Sequence, residues 1–319
     1  MKRYLLLFAV AVMSIACASV EDQAKEKCDA ITKALGHKHF GKAEEFADEF
    51  LDWYYELEID DQVAVEQVVI GYNNSQLIGI LGFDDVVVEA KRGETFVETA
   101  KGINLNMIYV EGGIFAMGSN SGESDEKPIH NVTLDSYYIG ETEITQAQWR
   151  AVMGSNPSEY KGDNRPVECV SWYDAQEFCE RLSELTGKRY VLPTEAQWEY
   201  AARGGNQSKG YTYSGSNNID EVAIYDEWSS GHSYVKSKKP NELGIYDMSG
   251  NVYEWCSDWY DDYSSSSQTN PQGPTSGSDR VLRGGSWCLN ASFCRVANRD
   301  LINPSRTYNN CGFRVVCLP

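Results

Sequence analysis

Two cysteines, Cys288 and Cys294, stand six residues apart in the stretch RGGSWCLNASFC, just after a paired-glycine turn. Thiolates are soft donors and good nucleophiles. Such a pair can hold a soft metal, close a disulfide, or lie as two ordinary buried thiols. A second stretch, DMSGNVYE, offers the carboxylates of Asp247 and Glu254 around a tight Ser-Gly-Asn turn that aims main-chain carbonyls inward. Calcium takes several oxygens at about 2.3–2.6 Å, carbonyls included, so this turn is a candidate calcium site. The alternative is a turn satisfied without metal. Arg203, Arg283, Arg295, Arg299 and Arg314 recur in short motifs, and buried guanidiniums require acidic partners in the core. The nine cysteines are widely spaced, without a CxxC pair or a Cys/His cluster, so no structural zinc is expected. His37 and His39 fall in a polar linker and are given no metal role.

Three helices would position these groups. TQAQWRAVMG has Thr145 as N-cap and Gly154 as stop. SWYDAQEFCERLSELTG places Trp172, Ala175, Phe178, Cys179 and Leu182 on one face. LPTEAQWEYAARGG is capped by Thr194, with Gln197 completing a capping box. MIYVEGGIFAMGS alternates and turns at Gly112-Gly113, which predicts a hairpin. SDWYDDYSSSSQTNPQGPTSGSDR has little regular pattern and reads as a packed or functional loop. Upstream, KAEEFADEFLDWYYEL puts Phe46, Phe50, Trp53, Tyr54 and Leu57 at helical spacing, an apolar stripe expected to be core. The state of QLIGILGFDDVVVEAKR is left open between helix and strand. Residues 19–104 thus read as a small, mainly helical region, and 105–319 as an α+β domain holding seven of the eight tryptophans.

Residues 1–18 have the order of a secretory signal: Lys2-Arg3, then an apolar run from Tyr4 to Ala16 too short to span a bilayer. Cleavage is expected either after Ala18 or before Cys17, where SIAC resembles a bacterial lipobox and would give a lipid-anchored protein of the periplasm or outer membrane. The formal net charge is −19, with no basic stripe. Such a chain is repelled by nucleic acid and anionic lipid, so neither is expected as a partner, and any membrane contact is left to the N-terminal lipid.

The motifs GGIFAMGS, ETEITQAQW, RPVECVSWYDAQEFC, LPTEAQWEYAARGG, GIYDMSGNVYEW, RVLRGGSW and GFR occur in the order seen in the formylglycine-generating enzyme (sulfatase-modifying factor) family. From about Met107 to Val316 the chain resembles that family. The resemblance implies a C-type-lectin-like fold with much irregular structure. It also implies an activity: aerobic oxidation of a sulfatase cysteine, in a C-x-P-x-R context, to formylglycine on Cu(I) held by two cysteines. In the family these stand three and eight residues after the Ser of the GGS turn. Cys294 matches the second position. The first is Leu289, and Cys288 comes one residue early. In extended backbone that shift turns a side chain to the opposite face. The pair of Cys288 and Cys294 is therefore expected to be an incomplete copper site unless a bulge redirects Cys288.

The resemblance places one calcium on the side chains of Asp247 and Glu254 and the carbonyls of Gly250 and Val252, with Asp247 where characterised members have Asn. It also implies a cysteine bridge from Cys179, whose partner position is Val315 here, with Cys317 two residues on; Cys256 is a candidate mate for Cys294. Two functions from different classes follow: an exported oxidase acting on a protein substrate, or a non-catalytic surface module that binds a protein or glycan. An iron-dependent sulfoxide synthase would need an H-x3-H-x-E pattern, which is absent.

Overall fold

A computed structural model describes residues 20–36, 40–55, 57, 65, 93–229 and 231–318. The signal sequence, Cys17, His37 and His39 lie outside the described residues. The chain divides into two compact units, Met1–Glu89 and Ala90–Pro319. The division falls earlier than residue 105.

In the first unit, helices α1 (Val20–Gly36) and α2 (Phe40–Tyr55) pack on each other. Ala24, Ala43 and Ala47 are buried at the contact, so two backbones approach closely around Cys28, Ile31, Phe50 and Tyr54. The expected aromatic stripe is core: Phe50 and Tyr54 are buried, with Phe46, Trp53 and Leu57 packed against them. Burial pushes the Cys28 thiol up to about 12, which marks a structural residue.

The second unit opens with β1 (Phe96–Glu98), β2 (Leu105–Val110), β3 (Gly113–Met117), β4 (His130–Leu134) and β5 (Tyr137–Gly140). Three helices and one strand follow: α3 (Gln146–Met153), α4 (Trp172–Thr186), β6 (Arg189–Val191) and α5 (Glu195–Ala202). After a short α6 (Ile219–Val222) come β7 (Tyr253–Trp259), β8 (Gln268–Thr269), β9 (Arg280–Arg283), β10 (Arg299–Ile302), β11 (Cys311–Gly312) and β12 (Val316–Leu318). The strands form three sheets, ordered β1-β2-β5-β12-β6, β10-β9-β7-β11 and β3-β4-β8. The C-terminal β12 lies between β5 and β6, so the last strand closes the sheet that the first strands begin.

All three expected helices form, two with the expected caps at Thr145 and Thr194 and the second with a cap at Ser171 that was not singled out. The Thr145, Ser171 and Thr194 hydroxyls each accept the main-chain N–H of the third residue on, and the side chains of Gln148, Asp174 and Gln197 return the bond. Gly154 ends α3 at φ 78°, a left-handed value that side-chain-bearing residues rarely adopt. The predicted hairpin does not form. β2 pairs with β1 and β5, whereas β3 pairs with β4, which in turn pairs with β8, so Gly112-Gly113 passes the chain between two sheets. Alternation identifies strands but not their partners. The irregular stretch after β7 is packed: its two-residue strand β8 joins β4, and Gly273 and Gly277 sit against Asp258 and Trp259.

Candidate functional site

The main unit holds a lattice of buried and half-buried ion pairs. Each of the five arginines has a carboxylate partner: Arg203 and Arg283 share Glu199, Arg295 pairs with Glu126, Arg299 with Glu195 and Arg314 with Glu254. Burial alone would push Glu126 and Glu195 upward. The Arg295 and Arg299 guanidiniums outweigh it and hold both carboxyls below the usual range. Arg283 also donates to the carbonyls of Val296 and Ala297 at 3.1 and 3.0 Å. The stretch from Arg295 to Arg299 is thereby clamped at three points. Cys294 lies immediately before it.

The calcium candidates meet in this lattice, in part. Asp247, Gly250 and Asn251 have φ of 60°, 79° and 60°, so the chain reverses sharply between Asp247 and Glu254. Glu143, which was not singled out from the sequence, joins them: its carboxylate accepts Asn251 Nδ2 at 3.0 Å, and it senses the charges of Asp247 and Glu254. Burial, with these like charges, raises Glu143 well above the carboxylate range, and burial raises Asp247 to about 6. Three buried carboxyl groups thus cluster by the Arg314 guanidinium, and a divalent cation would favour their charged forms. Asp247 uses Oδ2 for the Lys236 N–H at 2.8 Å. Glu254 is heavily committed, with Arg314 at 2.6 and 2.8 Å and Trp198 Nε1 at 2.8 Å. Among the described residues no three His, Cys, Asp or Glu side chains converge as a metal cage. A calcium here would rest mainly on main-chain oxygens and Asp247. The donor set fits in charge, with Glu254 shared with Arg314.

The cysteine stretch is not extended. Trp287–Leu289 forms a turn, with Leu289 N–H bonded to Ser286 O at 3.1 Å, and Ala291–Cys294 is a 3-10 helix. Asn290 starts that helix, its side chain accepting Ser292 N–H at 3.0 Å. The expectation of opposite strand faces therefore has no strand to act on. Cys288 Sγ lies 3.5 Å from Ser286 Oγ and 3.4 Å from Asn310 Nδ2. Cys294 is fully buried, beside the left-handed Gly285, where a Cβ would meet its sulfur at 2.8 Å. Burial pushes the Cys294 thiol up to about 12; N–H groups of Ser286 and Gly250 offset this, and the neighbouring Cys288 adds to it. The turn thus brings Cys288 and Cys294 within electrostatic reach.

Leu289 goes elsewhere. It packs on the main core and lines a cavity of 390 Å³ together with Tyr253, Leu282, Phe293, Leu301, Ile302 and Tyr308. Leu301 and Tyr308 are exposed at 42% and 46%. The loop bearing Asp226 and Glu227 is tied to this turn, their N–H groups bonding to the carbonyls of Leu289 and Trp287 at 2.9 and 2.7 Å. The next residue, Trp228, is 71% exposed. Asn310, which the cavity shares with Cys288, precedes the GFR motif and carries no sequence signal of its own. The residues do not fit the family's two-cysteine copper pair, because its first position is filled by an apolar cavity-lining side chain.

The suggested cysteine bridges are not formed. Cys179 and Cys317 share one core cluster as free thiols, Cys317 Sγ lying 3.8 Å from the Leu318 carbonyl. Cys256 is a free, fully buried thiol and is not joined to Cys294.

A family description, the sulfatase-modifying factor enzyme 1-like domain, matches residues 93–318. "Chaperone protein LppX" of Paenibacillus barcinonensis is 37% identical over 67% of this chain and 90% of its own length. "Formylglycine-generating enzyme" of Streptomyces coelicolor is 33% identical over 65% of this chain and 87% of its own. "Serine/threonine-protein kinase Pkn1" of Chlamydia trachomatis is 35% identical over 76% of this chain, which spans only 43% of that longer protein. Among solved structures, Treponema denticola variable protein 1 superposes with a TM-score of 0.67 at 35% identity, covering 70% of this chain and 99% of its own. PvdO from Pseudomonas aeruginosa gives 0.62 at 28% identity over 72% and 100%.

Proposed function

The chain belongs to the sulfatase-modifying factor family and has its C-type-lectin-like fold, and on that premise we propose that it is a binding module rather than an oxidase. The observation that carries this is Leu289. At the first copper position of the resemblance stands an apolar side chain, and it helps to build a cavity opening beside exposed Leu301 and Tyr308. Cys294 is buried and stands without a cysteine at the first copper position beside it. The relatives named as a chaperone and as a variable protein support a family in which the fold serves other ends. The partner fits a protein that inserts an apolar side chain, because burying such a group yields about 1.5–3 kcal/mol. Asp226 and Glu227 on the adjoining loop make the rim acidic, which favours a basic flank on that partner.

The module is read as exported, anchored through Cys17, with one calcium at Asp247, Gly250, Val252 and Glu254 as a structural ion. Purified protein supplied with copper, oxygen and a C-x-P-x-R peptide tests the reading, and no formylglycine should form. One observation favours the second reading, an oxidase in which Cys288 takes the place of the missing cysteine: the turn sets Cys288 near Cys294. In that case wild type oxidises the peptide and Cys288→Ser abolishes the activity.

A further inference from the structure

Cys311 lies on the lining of the Leu289 cavity, and the fold sets Cys169 beside it. The main-chain N–H groups of both residues donate to one carbonyl, that of Tyr308, at 3.0 and 3.2 Å. The strand after Cys311 presses on the segment before Cys169: a Cβ on Gly312 would collide with the Val167 carbonyl. Cys311 is 1% exposed, while Cys169 is partly open to solvent. Cys169 also holds φ 60°, a left-handed backbone that few side-chain-bearing residues adopt. The Cys311 thiol is pushed up by burial first, then by Asp300 and by Cys169, so the two sulfurs sense each other.

We propose that Cys169 and Cys311 are a redox pair that closes to a disulfide when the protein meets a disulfide oxidant. Cys169, the reachable partner, loses its proton and attacks one sulfur of the oxidant. A mixed disulfide forms, and the oxidant's other sulfur leaves as a thiolate. The Cys311 thiolate then attacks the Cys169 sulfur and expels the second half of the oxidant. The two protein thiols give up two electrons and two protons, and the oxidant's S–S bond is reduced to two thiols. Burial, Glu168 and Glu159 together hold the Cys169 thiol up near 12, so uncatalysed closure is slow at neutral pH and speeds about tenfold per pH unit. Thiols reluctant to ionise are poor leaving groups, so the bond resists reduction once made. It would tie the Val167–Val170 segment to the turn that runs from Tyr308 to Gly312. Because Cys311 lines the Leu289 cavity, the bond is tested on protein without added partner, and the peptide map reads it whether or not the cavity binds one.

The test is to reduce the full chain, expose it to oxidised glutathione at pH 8.5, alkylate the remaining thiols and digest it without reductant. A peptide carrying Cys169 joined to one carrying Cys311 is expected, with a reversible rise in melting temperature of about 5–10 °C. Cys169→Gly, which suits the left-handed backbone, should lose both effects. The proposal is overturned if Cys169 and Cys311 are both recovered alkylated, if Cys169 ends as a glutathione adduct only, or if either joins another cysteine such as Cys288. The wild-type peptide map decides the matter even if a variant fails to fold.

Discussion

Single residues here are governed by how a buried charge is answered. Asp258 is buried beside Glu195, and its Oδ2 accepts the Glu195 N–H and the Ser257 hydroxyl, both at 2.9 Å. Burial first, and the Glu195 charge second, raise its carboxyl to about 7. The unfolded chain releases this proton near pH 4 and the folded one near 7, so the unfolded state gains between those values. Asp258 therefore lowers stability as pH rises from about 4 to 7, by an order of a few kcal/mol in total. Asp258→Asn should remove that slope and leave the protein more stable than wild type at pH 8, as urea titrations at several pH values would show. Glu199 is the opposite case. It is buried between Arg283 and Arg203 and accepts the Gly118 N–H at 2.9 Å. Glu199→Gln leaves the buried Arg283 charge with only Glu195, at 3.7 Å, and should cost about 3–5 kcal/mol. Breaking the exposed Arg150–Asp163 pair should cost about 0–1 kcal/mol. Equal losses from both substitutions would contradict the ranking.

At the scale of elements, what is local was legible and what is not local was not. Thr145 and Thr194 announce their helices because a cap and its returning side chain lie within four residues of each other, and the second helix was read from its apolar face. Thr194→Ala should cost about 1 kcal/mol in denaturant unfolding, since it frees the Gln197 N–H at the start of a helix whose residues are nearly all buried. Strand partners are set across long separations, so Gly112-Gly113 looked like a hairpin and β12 gave no sign of its place between β5 and β6. The arginines were legible because a motif-borne guanidinium in a core demands a carboxylate. The pairing of Arg295 with Glu126 and of Arg283 with Glu199 was not, because the fold brings those residues together from distant positions, whereas Glu199 lies only one helical turn before Arg203. The cysteine stretch was misread as extended, although Asn290, two residues before Ser292, held the local signal of a capped turn. Leu289 was identified as the residue that departs from the family pattern. The cavity it lines could only come from the assembled fold.

For the whole molecule the calcium reading makes a claim on stability. An ion bound only by the folded chain raises the melting temperature with its concentration. A chelator should therefore lower the melting temperature of wild type and leave Asp247→Ala unmoved. Glu254→Ala is the poorer probe, since it strands Arg314 whether or not calcium binds. If wild type and Asp247→Ala respond alike to the chelator, the ion is not held there. Export through the N-terminal segment predicts a mature chain beginning at Cys17 or Ser19 when recovered from its native host. An uncleaved chain in the cytosol would contradict it. The central claim, that Leu289 makes this family member a binder, is met most directly by one assay of peptide oxidation. Wild type and a repaired variant, Leu289→Cys with Cys288→Val, are each given copper, oxygen and a C-x-P-x-R peptide. The account predicts no formylglycine from wild type, with copper binding and oxidation appearing in the repaired variant. Turnover by wild type, lost on Cys288→Ser, would contradict it.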